Sequence, residues 1–324
     1  MFKRSAPRPA TTPSPLAAPR PVAALRVAAA LRLEAVAWRG YVELIKPRVI
    51  ALMLFTVVVG MVLAAPTWPP WPLLTFGTLG IGLVAASAAA ANHLIDRRID
   101  AQMARTRGRP LPRGTIGTAQ AAVFAVTLGL AGMALLLRVS NPLCAVLTLA
   151  SLLGYAVIYS IVLKPRTAMN IVIGGAAGAT PPLLGWVAVT GRIEPGALIL
   201  FLIILTWTPP HFWALAIHRR DDYARAGIPM LPVTRGVPFT SARILHYTIA
   251  LGLVSLLPVA IGMSGPLYFA GALVLGAGFV RMAHRLRLDS ALAMPTFHYS
   301  IAYLFVLFVL LLADHGLAVR GWPA

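Results

Sequence analysis

The chain has 324 residues, 59% of them hydrophobic and only 11% charged, and its mean hydropathy is +0.80. A soluble domain is about 45–50% apolar and about 25% charged. These proportions exclude a water-soluble globule, a disordered chain and a coiled coil, and the single cysteine, Cys144, excludes a disulfide scaffold.

Lys and Arg number 28 against 9 Asp and Glu, a formal charge of +19. Such a charge fits either nucleic-acid binding or the basic loops of a polytopic membrane protein. Residues 1–40 form a basic start with six prolines in the first 24 positions and no acid before Glu34. That composition predicts a disordered tail. It lacks the compact apolar core of a secretory signal. Its Arg-rich character resembles a mitochondrial transit peptide in composition only, so a bacterial inner membrane is the first expectation and a mitochondrial inner membrane the second.

Nine apolar segments follow, near 47–65, 72–91, 117–137, 142–163, 170–190, 196–217, 243–263, 266–285 and 297–316. Each approaches the ~20 residues that a helix needs to cross the hydrocarbon. Trp68, Trp71 and Trp322 fall where aromatic side chains anchor at the interface. The expected fold is therefore all-α, a membrane bundle of nine transmembrane helices. With the N-terminus inside, 25 Lys and Arg fall on inner segments and only Arg138, Arg192 and Arg320 on outer ones. This asymmetry predicts an N-in/C-out orientation and removes the nucleic-acid reading.

Four of the nine acids gather at two inner loops or the helix ends leading into them. The first cluster reads Asn92-His93-Leu94-Ile95-Asp96-Arg97-Arg98-Ile99-Asp100 and runs on to Arg105 and Arg109. Asn92, Asp96 and Asp100 are spaced i, i+4, i+8, one stripe of a helix. An amide and two carboxylates offer hard oxygens suited to Mg²⁺, which is usually held by one or two carboxylates together with substrate phosphates. The nearby arginines match phosphate oxygens. A solvated helix end with Asp–Arg pairs would give the same pattern.

The second cluster runs from Pro210 to Pro232 and holds His211, His218, Asp221, Asp222 and Tyr223. His211, His218 and Asp222 are spaced i, i+7, i+11, which places them on one face if the helix is continuous. The two clusters lie four helices apart, a loose internal repeat. Between them, the short loop that includes Tyr159, Lys164, Arg166 and Asn170 carries one of only three lysines. His93 and His211 are the histidines best placed to contact a substrate, although packing or a hydrogen bond is the more common role of an isolated histidine.

The Asn92-x-x-x-Asp96-x-x-x-Asp100 stripe, the second Asp-bearing loop and the nine spans resemble the UbiA-type intramembrane prenyltransferase superfamily. The stretches NHLIDRRIDAQMARTRGRPLPRG, LKPRTAMNIVIGGAAGATPPLLGW and PPHFWALAIHRRDDYARAGIPMLPV are similar to its heme-farnesylating branch. The likeness runs from about Glu43 to Leu312, within a prenyltransferase domain of residues 41–324. His218 replaces the first carboxylate of the second motif found in many members, while Asp222 is retained; the heme-modifying branch is similar in this reduction.

The resemblance implies Mg²⁺-dependent transfer of the farnesyl group of farnesyl diphosphate to a vinyl group of heme B, with addition of water, giving heme O and pyrophosphate. It implies Asn92, Asp96, Asp100 and Asp222 as metal ligands. Lys164, Arg105, Arg109 and Arg166 would meet the diphosphate, and Tyr159, His211, His218 and Asp221 would line the substrates. Partners implied are the lipid bilayer and a heme A synthase downstream, with no nucleic acid. Two other readings stand beside it: the same chemistry on a quinone precursor or chlorin, and a membrane transporter. A transporter places its polar site near the bilayer midplane, whereas every acid here lies at a segment end or in a loop.

Overall fold

The computed structural model describes residues 38–319, and among them there is no strand. Most of the basic tail expected over 1–40, together with Arg320 and Trp322, lies outside the described residues; Trp38, Arg39 and Gly40 already belong to a helix. Helix α1 (Trp38–Leu44) and helix α2 (Pro47–Leu63) follow each other with a bend of 50° and together are long and apolar enough to cross a membrane. The bend sits at Lys46, the only non-glycine residue with positive φ among those described (53°), directly before Pro47 at the first position of α2. Proline is pre-set for that position and lacks the N–H that the helix would leave unpaired.

Helix α3 (Leu73–Gln102) opens with a π-helical turn, Leu73–Gly77, and runs well past the segment end expected at 91. The Asn92 stripe is therefore on the helix itself. Helices α4 (Thr118–Val139), α5 (Pro142–Arg166), α6 (Asn170–Thr190) and α7 (Pro195–His218) follow, joined by short turns. Two short helices, α8 (Arg220–Arg225) and α9 (Leu231–Thr234), build the large loop after α7.

Helix α10 (Gly236–Val254) with the single turn α11 (Leu257–Ala260), α12 (Pro266–Leu288) and α13 (Ala293–Val319) complete the chain. The seventh span thus begins at Gly236 rather than at 243. Thr240 and Ser241 dilute the hydropathy there, but their hydroxyls bond the carbonyls of Gly236 and Pro238 at 2.8 and 3.1 Å, so they do not end the helix. Among the described residues, eight helices are long and apolar enough to cross a membrane, and the bent α1–α2 pair passes the same test when taken together, which gives up to nine spans. Their outward faces carry Val123, Val126, Leu130 and Leu137 on α4 and Ile158 and Ile161 on α5. Apolar side chains facing outward are what hydrocarbon surroundings require.

The main core lies where α2, α6, α7 and α13 meet, and it includes Val57, Met61, Leu184, Trp207, Tyr303 and Phe308. Two glycines set the closeness of α2 and α6. A Cβ at Gly60 would fall on the Pro182 carbonyl, and one at Gly185 on the Val57 carbonyl. Small residues let membrane helices approach backbone to backbone. The packing positions the functional end, because α2 carries the Lys46 bend and α7 carries the second acidic loop.

Gly60→Ala and Gly185→Ala should each destabilise the protein by about 1–3 kcal/mol through overpacking. Thermal unfolding in detergent should show both losses, whereas Gly178→Ala and Gly252→Ala, where an added Cβ meets nothing within 4 Å, should be neutral or slightly stabilising.

Candidate active site

The polar end of α3 holds a connected set of buried charges. Asn92, Asp96 and Asp100 are only 3–4% exposed. The Asn92 amide donates to Asp96 Oδ2 (2.9 Å) and to Ser160 Oγ (3.0 Å), and its carbonyl accepts from Lys46 Nζ (2.7 Å). Lys164 Nζ bonds the same Asp96 oxygen at 2.5 Å. Asp100 accepts from Arg109 at 2.7 Å. Thr106 donates its hydroxyl to the Asp100 carbonyl at 2.9 Å, which turns the chain back so that Arg109 can reach the carboxylate. Asp96 Oδ1 is buried without a hydrogen-bond partner.

Lys164 reaches this cluster because of an irregularity in α5. Gly154–Leu163 is π-helical. A π-helix bonds i to i+5 and takes about 4.4 residues per turn against 3.6 in an α-helix. Tyr155 and Lys164 are then separated by about two turns and share a face with Tyr159 and Ser160; an α-helix would separate them by about two and a half turns and point Lys164 away. The Ser160 hydroxyl donates to the Tyr155 carbonyl at 2.9 Å, and the Tyr155 and Tyr159 rings stack at 5.5 Å. Gly174 on α6 leaves room for the Tyr159 ring, which a Cβ there would strike.

The second cluster departs from its expected geometry. Helix α7 ends at His218, Arg219 leaves the helical conformation (φ −106°, ψ 20°), and α8 restarts at Arg220. His211, His218 and Asp222 therefore do not share a continuous helical face. The His211 ring is stacked between Trp207 (4.2 Å) and Phe297 (4.5 Å), with Nδ1 bonded to Ser300 Oγ at 2.6 Å; it belongs to the contact between α7 and α13. His218 and Asp221 are exposed. Asp222 is buried and faces Arg225 (2.5 Å) and Arg219 (3.8 Å).

The two acid-bearing loops nonetheless meet. Met103, just after α3, shares a buried apolar cluster with Trp213, Ile217, Ile228, Met230 and Leu231. Burial raises the Tyr223 phenol above its usual range, partly offset by the charges of Arg105, Arg219 and Arg109. Arg105 and Arg166 are themselves exposed at the rim.

Among the described residues, no three His, Cys, Asp or Glu side chains form a ready-made metal cage. The acids are neutralised by cations instead. A carboxylate stripe with an orphaned oxygen suits a hard ion that completes its shell with ligand oxygens. Lys46, Ser160 and Tyr155 were not legible as site residues. Lys46 is one of three lysines in the chain, but its place at a helix start reads equally well as a topological anchor.

The model of the UbiA prenyltransferase family matches residues 53–309. A protoheme IX farnesyltransferase of Azotobacter vinelandii is 60% identical over 86% of this chain and 94% of its own length. A protoheme IX farnesyltransferase of Thioalkalivibrio sulfidiphilus is 60% identical over 87% and 94%. Among solved structures, a digeranylgeranylglyceryl phosphate synthase superposes with TM-score 0.73 at 18% identity, covering 86% of this chain and 98% of that one. A UbiA homologue from Archaeoglobus fulgidus bound to GPP and Mg²⁺ gives TM-score 0.58 at 14% identity, covering 84% and 99%. These two structural likenesses concern the fold.

The Asp96–Lys164 pair should behave as a unit. Lys164→Met leaves a buried carboxylate without its cation and should cost about 3 kcal/mol. The double variant Asp96→Asn, Lys164→Met should recover most of that loss, as a double-mutant cycle of thermal unfolding would show.

Proposed function

The chain belongs to the UbiA prenyltransferase family, and we propose that it transfers the farnesyl group of farnesyl diphosphate to a vinyl group of heme B. The chemistry is carried by one observation: the buried Asp96 carboxylate is clamped by Lys164 and Asn92 at the polar end of an apolar bundle and keeps one oxygen unpartnered. The acceptor is supported by the relatives named protoheme IX farnesyltransferase. We assign the reaction to a bacterial inner membrane, with the chain oriented N-in/C-out, and its product to a heme A synthase.

Asn92, Asp96 and Asp100 on α3, with Asp222 on α8, are the oxygen donors we assign to Mg²⁺. When bound, the ion would neutralise the diphosphate as a Lewis acid. Lys164 and Arg109, which hold Asp96 and Asp100, are the cations we assign to the diphosphate, where they would stabilise the negative charge that grows as the allylic C–O bond breaks. Arg105 and Arg166 draw the anion in from the rim. The apolar helices hold the prenyl chain and exclude water from the allylic carbon.

The vinyl π-electrons of the acceptor form the new C–C bond, and pyrophosphate leaves. The cation left beside the macrocycle takes up water, which loses a proton and becomes the hydroxyl of the product. No Ser, Cys or His nucleophile is needed.

Membranes carrying the full chain, supplied with Mg²⁺, farnesyl diphosphate and heme B, should yield a product heavier than heme by a farnesyl group and a hydroxyl. Chelation should stop the reaction, and Asp96→Ala should lower kcat by about 10²–10³-fold. Prenylation of 4-hydroxybenzoate alone would overturn the acceptor, and unchanged turnover in both Asp96→Ala and Asp222→Ala would overturn the site.

A further inference from the structure

On the flank of α3 that faces the α1–α2 bend lies an open cleft of ≈ 360 Å³. Its wall carries Arg39, Lys46, Arg48 and Arg109 against one acid, Glu43, with His93 on the α3 side. Two of these cations also touch the catalytic stripe, Lys46 through Asn92 and Arg109 through Asp100. Arg39 and Arg48 are exposed and have no carboxylate within ion-pair distance among the described residues. His93 is 1% exposed, yet neither ring nitrogen has a hydrogen-bond partner. Buried polar side chains are normally bonded, so the ring of His93 keeps hydrogen-bonding capacity for a ligand in the cleft that it lines.

We propose that this cleft binds the two carboxylates of the porphyrin acceptor; the inference rests on the heme reading above. Four cations facing one acid make an anion site, and the wall lacks the carboxylate stripe that a metal-bridged diphosphate requires. Guanidinium groups match carboxylates through paired hydrogen bonds. The carboxylates of heme B leave the macrocycle on the edge away from its vinyl groups. Holding them at the polar mouth turns the vinyl edge inward, toward the apolar helices where the prenyl chain lies. Lys46 and Arg109 form the common wall between the two anion sites, which fixes the acceptor relative to the diphosphate. The cleft lies at the 50° bend between α1 and α2, and Lys46 and Pro47 at that bend line it.

The test uses the full chain in phosphatidylcholine nanodiscs and reads both heme binding and turnover. Arg39→Gln with Arg48→Gln should weaken heme binding and raise the KM for heme about tenfold, the loss of one charge-assisted hydrogen bond or more, with the KM for farnesyl diphosphate unchanged. Heme dimethyl ester should bind the wild type as weakly as heme binds the variant, and the variant should not distinguish the two. A rise in the KM for farnesyl diphosphate instead would make the cleft a diphosphate site and overturn the proposal. An unchanged affinity for heme would also overturn it, and if association with phosphatidylglycerol vesicles then falls, the arginines serve lipid phosphates. A wild type that binds heme through its carboxylates but never farnesylates it would overturn the functional reading and leave the cleft standing.

Discussion

A carboxylate placed at the end of an apolar helix bundle must find a counter-charge, because burying an unpaired ion costs several kcal/mol. Asp96 meets that condition through Lys164 and Asn92, and the rest of the functional end is arranged around it. Asn92 in turn engages Lys46 from the α1–α2 break and Ser160 from α5. One buried acid thereby ties three spans together at the end of the bundle where the chemistry is assigned. The acids are balanced by Lys164, Arg109 and Arg225, so an arriving anion would exchange partners with carboxylates rather than enter an unpaired field.

The spans and the first cluster were legible in the sequence for a plain reason. Hydropathy reports lipid-facing length, and the i, i+4 spacing of Asn92, Asp96 and Asp100 survives any uncertainty about where the helix stops. Boundaries were less legible. Helix α3 continues to Gln102 through Arg97 and Arg98, because exposed charges do not end a helix that has left the hydrocarbon. Thr240 and Ser241 likewise belong to α10, since their hydroxyls bond their own helix.

The second cluster shows what spacing alone leaves out. Counting residues from His211 to Asp222 assumes an unbroken helix, and the break at Arg219 removes that assumption. Three aromatic or hydroxyl side chains, Trp207, Phe297 and Ser300, hold His211 in place. Two of the three come from α13, far away in sequence, so no local pattern could announce them. Lys46 was hidden for the opposite reason: a basic residue at the start of a span already has a sufficient explanation in topology.

The π-helical stretch of α5 stores its information in its winding. Tyr155, Tyr159, Ser160 and Lys164 share a face because the backbone between them is underwound, and their identities alone would not align them. Rewinding the segment into an α-helix at the same length would set Lys164 about half a turn from Tyr155 and carry it out of reach of Asp96, although no functional side chain had changed. Scanning the charged side chains alone would leave this requirement undetected. The winding between Gly154 and Lys164 is thus itself part of the site, as a spacer is in a binding site read by register.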